Sequence, residues 1–366
     1  MFHTLVVGLG RAGAGLHVPV LLRARRAQPQ LFAPGPLVGV DPGPPGAGNA
    51  GAGCAGGSGA EPELRLAESL RHVAQLPPPD RTVVHVCTPP VARVDIVGRL
   101  LDLGYRRLVL EKPLAVDLDQ LTALDRLFET SGAEVAVVAP WSASALTDRL
   151  VQLVTGAPTA GLGPLHSIDV IQYKPRFQRS LATHGHPTAF DIEVPHALGV
   201  LLQLAGDAEV ADGRTTDLVL GSTLLPRLGS ARLALRHHNG VRSEIHSDLT
   251  SPVRERRITL RFDRGTAVGH YPGSADDEYA QLRLTTGESG PSAAPEVFPD
   301  DALTAFMLRS YAGFAAGSMA GPAFRADLER QFRVVELLSR AKRFGAADRR
   351  PPVTEDRPER ELSHAP

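Results

Sequence analysis

Three side chains able to move a proton stand at telling places in this chain: Lys112, His196 and Glu193. Of its 39 lysines and arginines, only Lys112, Lys174 and Lys342 are lysine. Lys112 lies in Glu111-Lys112-Pro113, directly after the apolar run Leu108-Val109-Leu110. A guanidinium stays charged in a protein, whereas a desolvated ammonium can release its proton. A lysine at a strand end in an arginine-rich chain is therefore a proton-transfer candidate, and otherwise a plain charge beside a turn proline. His196 heads an apolar run at 197–204 that reads as a buried helix, with Pro195 suited to its first turn. A histidine there is either a core residue or a general acid–base group. Glu193, three residues earlier, can share its helical face and partner it. Asp191 falls on another face and reads as a cap.

A second set of residues points to a phosphate-bearing ligand. Gly8-Leu9-Gly10-Arg11-Ala12-Gly13 follows a strand-like run at 2–7 and precedes Leu16, Val20 and Leu21, at helical spacing within 14–24. Strand, glycine turn and helix is the setting of the dinucleotide fingerprint. Gly8, Gly10 and Gly13 permit a tight turn, close backbone approach to a pyrophosphate and close helix–strand packing. The N–H groups at the helix start, around Arg11 and Ala12, would then hold the phosphates. The strand at 37–40 ends in Asp41, an acid placed to bond the adenosine ribose hydroxyls and to repel a 2′-phosphate. No basic residue follows before Arg65, so NAD is expected and NADP disfavoured. Another strand, at 82–87, stops at Thr88-Pro89-Pro90, exposing backbone at the carboxyl edge where parallel sheets bind ligands. Trp141, the single tryptophan, either stacks on a sugar or nicotinamide face or fills core. Lys174 and Arg176, within Lys174-Pro175-Arg176-Phe177-Gln178-Arg179, either grip a phosphate or carboxylate or belong to a solvated loop.

The elements that must position these groups fall into two domains, as a length of 366 residues allows. Strands alternating with helices, the latter read at 14–24, 64–73 and 94–103, give a doubly wound parallel sheet over 1–115. A second α+β domain is expected over 116–345. It opens with a helix at 117–128, a strand at 133–138 and a helix at 146–154. Strand-like alternation continues at 218–220, 231–235, 242–245, 257–262 and 266–270, with Asp263-Arg264-Gly265 as a hairpin turn. This predicts a large open antiparallel sheet, polar on one face, suited to carrying a homodimer or homotetramer contact. Helices at 302–316 and 326–341 end the domain, the last packing back on the first domain. The Gly/Ala/Pro stretch at 42–59 reads as a flexible insertion, and the charged, Pro-rich 346–366 as a disordered tail.

Composition excludes several classes. A net charge of -1 argues against general nucleic-acid binding. No run of 18 apolar residues spans a membrane, and no basic, then apolar leader opens the chain. Cys54 and Cys87 make no disulfide framework, so a reducing cytoplasm is the expected setting. Neither His237-His238 nor His184-Gly185-His186 has Cys or carboxylate neighbours at ligand spacing, so no metal is expected.

The glycine turn, the strand ending Thr88-Pro89-Pro90 and the later Glu111-Lys112-Pro113 resemble the Gfo/Idh/MocA oxidoreductases, over roughly residues 5–342. Glu-Lys-Pro in this position is the most specific element. The resemblance implies an N-terminal Rossmann domain, a substrate border at 140–144, and a catalytic-histidine helix at 196–206. The chain departs from the family at Arg93, where a histidine is usual, and at Ile192 and Gly199, where aspartates flank the catalytic histidine. The form Glu193-Val194-Pro195-His196 resembles the sugar 3-dehydrogenases of amino-sugar antibiotic pathways. The activity implied is NAD-dependent oxidation of a secondary alcohol on a sugar, sugar phosphate or cyclitol. His196 would be the base, Lys112 would bond the oxygen and relay its proton, Glu193 would orient His196, and Glu111 would fix Lys112. The other readings are a reductase of an oxo or imine intermediate and a dinucleotide-binding regulator without activity.

Overall fold

A computed structural model describes residues 1–41, 63–159, 161–182, 186–274, 277–286 and 294–347. The expected insertion at 42–59, and the expected tail beyond Ala347, lie outside these residues.

Six parallel strands form the first sheet: β1 (His3–Val7), β2 (Leu37–Val40), β3 (Leu64–Ala67), β4 (Thr82–Val86), β5 (Arg107–Leu110) and β6 (Glu134–Val137). Their spatial order is β3-β2-β1-β4-β5-β6. A parallel sheet covered on both faces needs apolar residues at nearly every position, and β2 and β4 are buried throughout. On one face Leu5, Val7, Val84, Leu108 and Leu110 pack with helices α2 (Arg93–Asp102) and α3 (Leu118–Ser131). On the other, Val6, Val83 and Val109 pack with α1 (Val18–Ala27) and with Phe306, Met307 and Tyr311 of α7 (Ala302–Ala315). The strand order reverses between β1 and β4, so the ligand crevice of such sheets falls there.

Three expectations change. The segment at 64–73 opens as strand β3 rather than a helix, because β2 offers a free edge on which Leu64 to Ala67 pair in register with Leu37 to Val40. Tertiary pairing outweighs the local apolar spacing there, and Leu66 is left exposed at the edge. The helix after the glycine turn begins as a π-turn over Gly13–His17, which turns Leu16 outward. The first sheet also continues past 115, because β6 pairs with β5 from Arg107↔Glu134 to Leu110↔Val137.

The second sheet has eight strands: β7 (Leu165–Tyr173), β8 (Ala208–Thr215), β11 (Ser230–His237), β12 (Arg242–Asp248), β13 (Glu255–Phe262), β14 (Gly265–His270), β15 (Tyr279–Thr286) and β16 (Glu296–Pro299). Strands β9 (Leu218–Leu220) and β10 (Thr223–Leu225) form a separate hairpin. The order β16-β15-β14-β13-β7-β12-β11-β8 is antiparallel except at β7–β12, which pair in parallel, so the expected antiparallel sheet is a mixed one. Its inner face packs on α4 (Ala145–Gly156) and on α6 (Val194–Ala205), whose residues are nearly all buried. The short α5 is Phe177–Ala182. The last helix, α8 (Pro322–Ala347), joins the cores: Val335 packs in the first, and Val334, Leu337, Leu338 and Ala341 in the second. Among the described residues no helix is long and apolar enough to cross a membrane, and no group of three or more His, Cys, Asp or Glu could hold a metal ion.

Candidate active site

The carboxyl edge of β1 is built from backbone. Gly8 has φ +92°, and its N–H donates to Val40 O at 2.7 Å. A Cβ on Gly8 would lie 2.9 Å from Thr88 N, and one on Gly13 would lie 1.9 Å from Gly8 O, so neither position admits a side chain. The carbonyls of Gly10, Arg11 and Ala12 accept from Ala14, Gly15 and Leu16, while their own N–H groups meet no backbone acceptor among the described residues. Gly10 has open space where a Cβ would stand. Thr88 is buried and its Oγ1 has no partner. Asp41 stands exposed just past β2. Amides outside the backbone ladder at a helix start, a buried hydroxyl and room for close approach fit a dinucleotide lying over this turn.

Strand β5 delivers Glu111 and Lys112 to the same edge, ahead of a cis Lys112–Pro113 peptide. Arg93, fully buried, holds this corner: its guanidinium donates to Pro113 O, to Leu114 O at 3.1 Å and to Thr88 O at 3.2 Å. It ties the Thr-Pro-Pro strand end to the backbone just after the lysine. Burial pulls its pKa down to about 10, against the opposing charge of Glu111. Glu111 accepts from His17 Nε2 at 2.8 Å. His17 Nδ1 meets His85 Nδ1 at 3.0 Å, His85 Nε2 meets the Tyr311 hydroxyl at 3.1 Å, and that oxygen meets Thr4 Oγ1 at 2.6 Å. With His85 neutral, every donor in this chain finds an acceptor. Burial first, then His17, pushes His85 well below its ordinary value and keeps it neutral.

The segment 188–196, leading into α6, meets Lys112. Thr188 and Asp191 form a capping box on the turn Ala189–Asp191, so Asp191 caps that turn and not α6. Lys112 Nζ donates to Ile192 O at 2.6 Å. Lys174, just past β7, donates to Glu193 Oε1 at 2.6 Å, and Arg256 Nη2 stands 3.8 Å from Glu193 Oε2. Gln172 Nε2 holds the Glu193 carbonyl at 3.0 Å. Glu193 therefore gives its carboxylate to Lys174, and its effect on His196 is one of charge. His196 stacks near Trp141, with centroids 6.0 Å apart, and Trp141 stacks on Tyr271 at 4.1 Å. Lys112, Trp141, His196 and Gln331 line one cleft.

Charge decides the protonation of this cluster. Burial pushes Lys112 below a lysine's ordinary range, with Arg176 adding to it, while Glu193, Glu111 and Asp191 pull the other way. Burial and then the Lys112 charge bring His196 down to about 3, with Glu193 opposing. Burial alone would raise Glu193, yet Lys174, His196, Lys112 and Arg256 bring it down to about 2. At neutral pH the imidazole is thus free of its proton beside a charged carboxylate. A charged Lys112 opposes a charge on His196, so a proton on one disfavours a proton on the other.

The sequence-predicted Lys112, His196 and Trp141 line this cleft, and Glu193 and Lys174 pair with each other next to it in the chain segment that Lys112 bonds. Arg176 lies at its margin with its pKa lowered by burial and by Arg11, against Glu193. Gly8, Gly10, Arg11, Ala12, Gly13, Asp41, Thr88, Pro89, Pro90 and Glu111 gather at the sheet edge beside it. Reading the sequence missed His17, Gln172, His186, Arg256 and Lys342. His186 is brought down to about 4 by burial, then by Lys112 and Arg176, and its Nδ1 is buried without a partner. Only His17 carried a local signal, four residues past Gly13.

Residues 2–139 match the model of the GFO_IDH_MocA family, described as an oxidoreductase family with an NAD-binding Rossmann fold. No curated protein sequence matches the chain. Among solved structures, UDP-N-acetylglucosamine 3-dehydrogenase GnnA from Acidithiobacillus ferrooxidans superposes with TM-score 0.64 at 18% identity, covering 95% of this chain and 99% of that one. A point variant of KijD10, a 3-ketoreductase from Actinomadura kijaniata solved with TDP-benzene and NADP, superposes with TM-score 0.67 at 15% identity, covering 94% and 98%. An oxidoreductase from Klebsiella pneumoniae gives 0.69 at 17%, covering 95% and 93%. At such identities these likenesses speak for the fold.

Proposed function

We infer that this chain, whose residues 2–139 match the Gfo/Idh/MocA oxidoreductase family model, is an NAD-dependent dehydrogenase of a secondary alcohol on a sugar-like substrate. The carrying observation is that Lys112 and His196, far apart in sequence, line one small recess. A sugar, sugar phosphate or cyclitol fits the cationic margin of Lys174, Arg176 and Arg256, while Trp141, buried and stacked on Tyr271, fills core behind His196. The UDP-N-acetylglucosamine 3-dehydrogenase among the structural likenesses supports a sugar ring as the substrate class.

The nicotinamide, when bound, supplies the hydride acceptor. The residues of this chain supply geometry and proton handling. Gly8 to Gly13 and Thr88 would seat the phosphates, and Asp41 the adenosine ribose. The Lys112 ammonium would bond the substrate oxygen, replacing part of its present bond to Ile192 O. His196, unprotonated at neutral pH, would take the hydroxyl proton, aided by the Glu193 charge and opposed by Lys112. A proton arriving at His196 therefore favours release of one from Lys112, and the pair can pass it on to solvent. In the reducing direction the same steps run backwards, and His196, reprotonated through Lys112, returns the proton to the oxygen.

The test monitors reduced-dinucleotide absorbance with NAD and with NADP, over sugars, sugar phosphates, nucleotide-linked sugars and cyclitols. Turnover with NAD by the parent, lost in both Lys112→Ala and His196→Ala, is the expected result. Parent-like turnover by both variants sinks the assignment. Dinucleotide binding without turnover of any substrate favours the regulator.

A further inference from the structure

The three lysines of this chain converge on three consecutive residues, while every other one of its 39 cationic side chains is arginine. Lys342 pairs with the Asp191 carboxylate at 2.5 Å, Lys112 donates to Ile192 O at 2.6 Å, and Lys174 to the Glu193 carboxylate at 2.6 Å. They arrive from three places: the end of β5, the end of β7 and the last turns of α8. An ammonium is a compact point charge, and only that shape lets three cations meet one short backbone segment.

Lys342 is the one of the three with no part in the proton transfer or in substrate binding. Its partner Asp191 is 3% exposed and has both oxygens engaged. Oδ2 accepts from Thr188 N at 3.0 Å and Thr188 Oγ1 at 2.8 Å, and Oδ1 takes the lysine. A carboxylate bonded on both sides cannot rotate, so it fixes the turn Ala189–Asp191. The next carbonyl, that of buried Ile192, is the one that Lys112 bonds. We propose that Lys342 and Asp191 are positioning residues for Lys112: their ion pair, reaching from the C-terminal helix, sets the turn that presents the Ile192 carbonyl to the amine. This rests on Lys112 being the proton-transfer group.

The arrangement also has a charge consequence. The groups facing Lys112 are Glu193, Glu111, Arg176 and Asp191, with His186 and His196 repelled by it. Lys342 pairs with the Asp191 member of that set. Removing the cation leaves a carboxylate that favours the charged amine, and removing the carboxylate does the reverse. A brace that only held the fold would not produce opposite signs.

The experiment labels lysine Cε with 13C in the full-length chain, giving three side-chain signals, and assigns Lys112 by its loss in Lys112→Met. No substrate is needed. In Lys342→Met the Lys112 signal titrates higher by roughly half a pH unit or more. In Asp191→Asn it titrates lower, and in the double variant it falls between. Lys342→Arg, which keeps the charge, moves it less than Lys342→Met. A Lys112 titration unchanged in both single variants, or moved the same way by both, overturns the proposal. Should Lys342→Met not fold, Asp191→Asn and the double variant carry the test, since neither leaves a buried carboxylate unpaired. Parent protein that turns over no alcohol while these shifts appear defeats the dehydrogenase reading and leaves the positioning intact.

Discussion

The two halves of the site are made in different ways. The dinucleotide edge is built by short contiguous stretches, whose work is done by backbone amides and by side chains that are missing. The Lys112–His196 cleft is built by side chains meeting over long sequence distances: Lys112 with Ile192, Lys174 with Glu193, Lys342 with Asp191. A backbone-built site admits no added atom at Gly8 or Gly13, and its buried charge is concentrated at Arg93 and Glu111. A side-chain-built site tolerates some shape change, and its function depends on a balance of charges held out of water.

The largest effect is expected at the charge that does chemistry. Lys112→Met should lower kcat/KM by about 100- to 10,000-fold, the range for loss of a proton-transfer group, while the dinucleotide still binds. Steady-state rates with a parallel binding titration check this. A loss of binding equal to the loss of rate would place Lys112 in the cofactor half and erase the distinction between the two halves.

Gly13→Ala tests the other half by adding one methyl. Its Cβ would fall 1.9 Å from Gly8 O, on a backbone neighbour that has no rotamer to escape into. Overpacking of this kind costs about 1–3 kcal/mol, occasionally more, and it should abolish dinucleotide binding. Urea unfolding and a binding titration read both. A variant that binds normally would mean the turn is looser than its geometry states.

Arg93→Met sharpens the contrast, because it removes the one long side chain on which the backbone-built edge depends. Three carbonyls, of Thr88, Pro113 and Leu114, lose their donor, for an expected destabilisation of about 1–3 kcal/mol in urea unfolding. Thr88 and Lys112 flank this corner, so KM for the dinucleotide should rise with it.

The same contrast explains what the sequence discloses. Apolar runs ending in glycine or proline show β1, β4 and β5, because parallel strands are buried on both faces and their turns need special residues. Glu111-Lys112-Pro113 and His196 are legible as types at positions. What a window of sequence cannot show is a partner. Ile192 stands where an aspartate is usual, and the amine takes a backbone carbonyl instead. Glu193 reads as the orienting group for His196, yet its carboxylate is taken by Lys174 and faced by Arg256. Strand β3 was hidden because its conformation comes from the open edge of β2. Strand β6 fell across the expected boundary because pairing with β5, not spacing, assigns it to a sheet.

The smallest predicted effect separates the halves by pH. His196 is held down to about 3 against an ordinary 6.5, and Glu193 to about 2 against 4.5. Between about pH 3 and 6.5 the unfolded chain binds a proton at the histidine that the folded chain refuses, so stability rises with pH through this window and is level above it. Glu193 adds the same sign below about pH 4.5. His186 and His85, the latter in β4, are also depressed, and they contribute in the same direction. The parent's slope alone therefore cannot locate the source. The difference between parent and His196→Asn can, because only the contribution at 196 is removed. Urea midpoints at pH 7, 6 and 5 should fall in the parent and fall less steeply in the variant. Equal slopes would show that His196 protonates freely in the folded chain, and the charge balance assigned to the Lys112 cleft would then be wrong.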